Sequence, residues 1–83
     1  MTYFVYLLKT ISSYKKKTYV GYTANLKKRL LLHNTNKGAK ATRGYKWKII
    51  YKKNFSSKSK AISFEHYLKK NRTLRKKITN KKN

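Results

Sequence analysis

Residues 2–23 read TYFVYLLKTISSYKKKTYVGYT, and the fold turns on this stretch. Residues 2–9 are β-branched and aromatic with hardly a polar break, the composition of a buried strand. Residues 18–23, TYVGYT, form a second strand, in which Gly21 signals a bulge or a close approach of backbone. The polar TISSYKKK between them joins the two as a hairpin. Working outward, Thr23 can cap a helix over TANLKKRLLLHN, where Leu26, Leu30 and His33 follow helical spacing. Residues 35–46, TNKGAKATRGYK, read as a loop. Residues 47–55, WKIIYKKNF, read as a third strand with Trp47, Ile49 and Tyr51 on one face. SSKSKAISFEHYLKKN has serine caps and a periodic apolar set, and so predicts a second helix. A short third helix is expected over Thr73 to Ile78, and a frayed basic tail over about residues 79–83.

The order β-β-α-β-α-(α) predicts one small α/β domain spanning residues 1–83. A three-stranded, mainly antiparallel sheet is flanked by helices, with the third strand paired to the first and the first in the centre.

Composition narrows the function. Of 83 residues, 24 are Lys or Arg and one is acidic, for a net charge of +23. Such a chain repels itself unless a polyanion relieves it, and a nucleic-acid backbone rewards many cationic contacts by releasing counterions. DNA is the expected partner, with RNA left open and any protein partner unknown. The charge is spread along the chain rather than gathered on one amphipathic helix, and the longest apolar run, YFVYLL, is far short of the roughly 20 residues of a membrane span. No membrane association and no leader are therefore expected, and the expected location is the cytoplasm, in association with the nucleoid. Cysteine is absent, which excludes disulfides and thiolate zinc sites. Twenty Lys stand against four Arg (Arg29, Arg43, Arg72 and Arg75), which makes each Arg more informative than any one Lys.

Three groups of residues carry candidate chemistry. Glu65, the only acid, lies on the same predicted helical face as Ala61, Phe64 and Leu68. A carboxylate on an apolar stripe is costly unless paired or bound to a cation. A structural ion pair with Lys is the plain alternative; a hard divalent ion such as Mg²⁺, which takes one carboxylate with waters and phosphate oxygens, is the functional one. Arg29 and His33 are i, i+4 neighbours on the first helix, a bidentate phosphate ligand beside a group that exchanges protons near neutrality. Their plain reading is a solvated Arg beside a histidine at a helix C-terminus. Tyr6 and Tyr19 stand on the two paired strands, where their hydroxyls are expected to converge at one sheet edge near Arg29.

Together these residues resemble the GIY-YIG nuclease family, most closely its small stand-alone bacterial members related to the UvrC nuclease module. Phe4–Tyr6 (FVY) stands where the family has its first triplet and Tyr19–Gly21 (YVG) where it has the second. Arg29, then His33, then the loop NKGAKATRGYKW, then Glu65 follow in the family's order. The first Gly is replaced by Phe4, Tyr22 stands where some members have Lys, and Asn71 follows Glu65 too closely to inherit the later Asn of many members. The resemblance implies phosphodiester hydrolysis of DNA by an endonuclease with one Mg²⁺ or Mn²⁺ ion, in repair or recombination. It implies that Glu65 holds the metal, which neutralises a non-bridging oxygen and helps the 3′ oxygen leave. Tyr6 or Tyr19 contacts the attacking water or takes its proton, nearby positive charge favouring the phenolate. His33 relays that proton, Arg29 clamps the scissile phosphate, and Gly21 admits close backbone packing. Lys37, Lys40 and Arg43 are expected to bind flanking phosphates. The alternative is a non-catalytic basic DNA- or RNA-binding protein on the same fold, as the charge alone would also suggest of a ribosome-associated protein.

Overall fold

The computed structural model describes residues 2–11 and 16–80. Strand β1 (Tyr3–Thr10) is followed by β2 (Thr18–Thr23), α1 (Leu26–Asn34), a single 3-10 turn (Lys40–Thr42), β3 (Trp47–Phe55), α2 (Lys58–Lys70) and α3 (Arg72–Asn80). The sheet order is β2-β1-β3, with both pairings antiparallel and β1 in the centre, as the sequence predicts. The interior of the hairpin connection, residues 12–15, lies outside the described residues, as do residues 81–83 of the expected tail. Thr79 and Asn80 belong to α3 rather than to that tail.

The near-continuous apolar run of β1 has a direct cause: the strand is covered on both faces, as strands inside layered α/β proteins are. Val5 and Leu7 join Val20, Ala61 and Leu68 in one cluster, under α2 and α3. Tyr6 and Leu8 join Trp47 in a second, packed by Leu26 and Leu30 of α1. The sheet is thus a middle layer, with α1 on one side and α2 and α3 on the other.

The expectation that Trp47, Ile49 and Tyr51 share a face is corrected by a bulge. Leu7 pairs with Tyr51 but Leu8 pairs with Ile49, which leaves Ile50 as an extra residue in β3. One inserted residue shifts the two-residue alternation. Trp47 and Ile49 therefore face α1, while Tyr51 and Phe55 face α2.

The helix ends are set by side chains. Asn25, not Thr23, caps α1: its Oδ1 accepts the Lys28 amide at 3.1 Å, while Thr23 Oγ1 accepts the Asn25 amide at 3.1 Å and shapes the turn before it. Ser57 caps α2. Asn71 joins α2 to α3: its Oδ1 accepts the Leu74 amide at 3.0 Å and its Nδ2 donates to the Tyr67 hydroxyl at 3.2 Å, so its polar groups serve the junction. Arg75 donates from Nη1 to the carbonyls of Leu68 and Lys69, satisfying the end of α2 with a cation where the helix dipole favours one.

Candidate active site

The site is built around the hydroxyl of Tyr6. Tyr6 faces α1 from the central strand, opposite Gly21 of β2, and is 1% exposed. A Cβ on Gly21 would lie 2.6 Å from Tyr6 Cζ and nearer still to its hydroxyl oxygen, and 3.2 Å from a ring carbon of Tyr19. Gly21 is therefore required by close approach: no other residue leaves the Tyr6 ring room to lie across β2.

Two α1 residues meet that hydroxyl. His33 Nε2 lies 2.9 Å from it, and Arg29, one turn earlier on the helix, is its second side-chain partner. Tyr19 packs beside them, its ring centroid 5.1 Å from that of His33. The tyrosines thus meet beneath α1 over β2, the edge strand, because Tyr6 reaches across β2 from the central strand. His33 does lie in the last turn of α1, but fully buried. What buries it is the 35–46 loop. Thr42 Oγ1 lies 2.9 Å from His33 Nδ1, and Asn34, next to His33, fastens the loop's far end by accepting the Trp47 amide at 2.6 Å and donating to its carbonyl at 3.1 Å. Lys37, Lys40 and Arg43 are exposed on the outside of this loop. Neither Asn34, at the end of α1, nor Thr42, among the loop's small and polar residues, carries a chemical signature in the sequence.

Burial raises the Tyr6 phenol above its ordinary 10.0; Tyr19 and Glu65 push the same way, and the hydrogen bond and charge of Arg29 oppose them without prevailing. The expectation that positive charge favours a Tyr6 phenolate is thereby reversed, since a desolvated phenol resists ionisation more than one neighbouring cation assists it. Burial, and then Arg29, hold the His33 imidazole below its usual 6.5. This fixes the sign of a pH effect. The unfolded chain takes up a proton at His33 as pH falls through about 6.5 while the folded chain does not, so the stability present above that pH is lost below it. Melting temperature should fall as pH is lowered from about 7.5 to 5.5, with a slope of at most about 1.4 kcal/mol per pH unit from this group. His33→Gln should flatten the profile, and an equally steep profile in that variant would assign the effect elsewhere.

Glu65 comes from the other helical layer. Its side chain is 17% exposed, close enough for its charge to act on Tyr6, and its Oε2 lies 3.4 Å from the Nζ of Lys69, which is 51% exposed. The ion pair weighed from the sequence therefore exists, but as a loose i, i+4 surface contact of about 0.3–0.5 kcal/mol, too little to account for the chain's only acid. Among the described residues no three His, Cys, Asp or Glu side chains gather as a metal cage. The donor set fits one hard cation held by a single carboxylate and completed by water and substrate oxygens, with Lys69 already showing that the carboxylate accepts a cation. It does not fit two ions.

Tyr6, Tyr19, Arg29 and His33 gather on one face of a small three-stranded sheet, with Glu65 in the other helical layer, and comparison with known proteins places the chain in a nuclease-type domain family. The model of the GIY-YIG catalytic domain matches residues 2–82, and the chain belongs to the GIY-YIG family. It is similar to UPF0213 proteins of Streptococcus pyogenes serotype M3 (42% identity over 90% of this chain and 79% of the relative) and Oceanobacillus iheyensis (41% over 81% and 76%). It is 47% identical to a UPF0213 protein of Streptococcus pneumoniae over 63% of this chain, a match spanning 54% of that relative's own length. The solution NMR structure of a UPF0213 protein from Bacillus halodurans superposes with a TM-score of 0.53 at 29% identity, over 95% of this chain and 83% of that one.

Proposed function

We propose that this chain is a metal-dependent endonuclease that hydrolyses phosphodiester bonds in DNA. The observation that carries the proposal is that Arg29 and His33 meet at the Tyr6 hydroxyl while Glu65, from the other helical layer, is near enough for its charge to act on Tyr6. Arg29 binds the scissile phosphate through its fork and steadies the charge that develops there. Tyr6, neutral and hydrogen-bonded, orients the attacking water. Tyr19, partly exposed beside it, is the hydroxyl with access to solvent and takes the water's proton. A single Mg²⁺ or Mn²⁺ held by Glu65 would supply Lewis-acid stabilisation of the phosphate oxygens and the leaving group. Lys37, Lys40 and Arg43 bind flanking phosphates from the outside of the loop.

Among the described residues no element stands apart as a base-reading helix. The selection we propose is by nucleic-acid shape, such as a flap, nick or branch, which suits repair or recombination near the nucleoid. Among the described residues no helix is long and apolar enough to cross a membrane.

Incubation with labelled duplex, flap, single-stranded and RNA substrates, with Mg²⁺, Mn²⁺ or EDTA, tests the proposal. Metal-dependent cleavage of DNA is expected. Tight binding with no cleavage under any condition would favour the non-catalytic nucleic-acid-binding protein instead. Affinity for duplex DNA should fall log-linearly with salt, by on the order of 10³-fold between about 50 and 200 mM if about six phosphates are neutralised. A flat salt response would refute contact with the backbone.

A further inference from the structure

We propose that Thr42 is a positioning residue: it fixes which nitrogen of His33 carries the proton, and through His33 it turns the Tyr6 hydroxyl so that its hydrogen points into the protein and its lone pairs face the reaction. The proposal rests on the catalytic reading of Tyr6, although its structural half can be tested without any cleavage.

The argument is a count of hydrogens. Three contacts run in series: Tyr6 hydroxyl to His33 Nε2 at 2.9 Å, His33 Nδ1 to Thr42 Oγ1 at 2.9 Å, and Thr42 Oγ1 to the Ala39 carbonyl at 2.8 Å. A carbonyl oxygen only accepts, so the single hydroxyl hydrogen of Thr42 goes to Ala39. Thr42 Oγ1 then has only lone pairs to offer His33, and Nδ1 must carry the hydrogen. A buried neutral imidazole has one N–H, so Nε2 is a bare acceptor and the Tyr6 hydroxyl donates to it. Any other assignment leaves at least one of the three contacts without a hydrogen. The Tyr6 oxygen then accepts from Arg29 and, on the proposed reading, from the attacking water, whose lone pair is thereby aimed at phosphorus.

The loop is built to hold Thr42 in this place. Its amide donates to Ala39 at 3.0 Å, its carbonyl accepts from Trp47 Nε1 at 3.0 Å, and it is fully buried. Gly38 clears the approach: a Cβ there would lie 2.6 Å from His33 Nδ1 and 3.1 Å from the backbone Cα of the same residue. Asn36 Oδ1 accepts the Gly44 amide at 2.8 Å and closes the loop on itself. The inner side of the loop therefore sets a proton, while its outer side carries the cations.

Nitrogen-15 NMR of the His33 ring distinguishes the two tautomers directly. Wild type is expected to show a protonated Nδ1 and an unprotonated Nε2; the reverse would overturn the proposal. Thr42→Val keeps the shape and removes the oxygen. It should shift His33 toward the Nε2–H form and lower kcat by on the order of 10- to 100-fold, the scale seen when a metal-ligating histidine loses its outer hydrogen-bond partner, with KM little changed. Thr42→Ser, which keeps the hydroxyl, should retain both the tautomer and the rate. A Thr42→Val variant with an unaltered tautomer, or with a shifted tautomer and full kcat, would overturn the positioning role. Should Thr42→Val fail to fold, the wild-type tautomer and Thr42→Ser still decide the matter. A chain that shows the Nδ1–H tautomer but cuts nothing would refute the nuclease reading and leave the hydrogen-bond series standing.

Discussion

Glu65→Gln should abolish metal-dependent cleavage while leaving the protein folded and still able to hold DNA. The Lewis-acid contribution at such a site is several kcal/mol, so cleavage should fall by roughly 10³-fold or more. The cost to folding is small by comparison. The carboxylate meets Lys69 at 3.4 Å on a half-exposed surface, and a pair of that kind contributes about 0.3–0.5 kcal/mol. For a domain of this size that corresponds to a melting shift of about 1–4 °C. DNA affinity should hold or rise, because the substitution removes a negative charge from beside the bound phosphate. Lys69→Ala is the control: if the ion pair were the reason for the acid, the two variants would lose the same stability. Thermal melts, gel shifts and cleavage assays separate the cases. A Glu65→Gln protein that is strongly destabilised yet still cuts would make Glu65 structural and remove the basis of the catalytic reading.

Arg29→Ala should lower turnover far more than affinity. With 24 basic residues in the chain, overall attraction to the backbone barely depends on any one of them. Arg29, however, joins His33 as a partner of the Tyr6 hydroxyl from α1. Removing a donor that stabilises developing charge costs on the order of 10²- to 10³-fold in kcat. Arg29→Lys should recover only part of this, since a point charge replaces a planar fork. Arg29→Ala should also ease the downward pressure on the His33 pKa, leaving burial as its remaining cause. Equal losses of binding and cleavage would place Arg29 among the general backbone contacts.

Much of this was legible in the chain. The apolar run of β1 and the alternation of TYVGYT specify the hairpin, and the order of elements leaves β1 the central place. Arg29 and His33, which meet the Tyr6 hydroxyl, could be named from type and spacing because they share a helical face, and Glu65 because it has no acidic company. What escaped was set by tertiary packing. The Ile50 bulge has no local marker, and it reverses the face of Tyr51. Asn25 rather than Thr23 caps α1 because both side chains are competent caps and the turn decides between them. The burial of Tyr6, and with it the direction of its pKa, depends on α1 and the loop closing over it, which strand periodicity does not report. Thr42 was hidden among loop cations because a lone Thr carries no chemical signature until a histidine is seen beside it.

The division of the hub between two helical layers also has a consequence in time. Tyr6, Tyr19, Arg29, His33 and Thr42 all precede β3, whereas Glu65 arrives with α2, which must pack on the opposite face of the sheet. A chain leaving the ribosome from its N-terminus therefore presents its cations, and its grip on nucleic acid, before it has its acid. On the proposed mechanism the nascent protein is harmless to the nucleic acids around it until α2 docks, so that completion of the fold is also the safety catch of the enzyme.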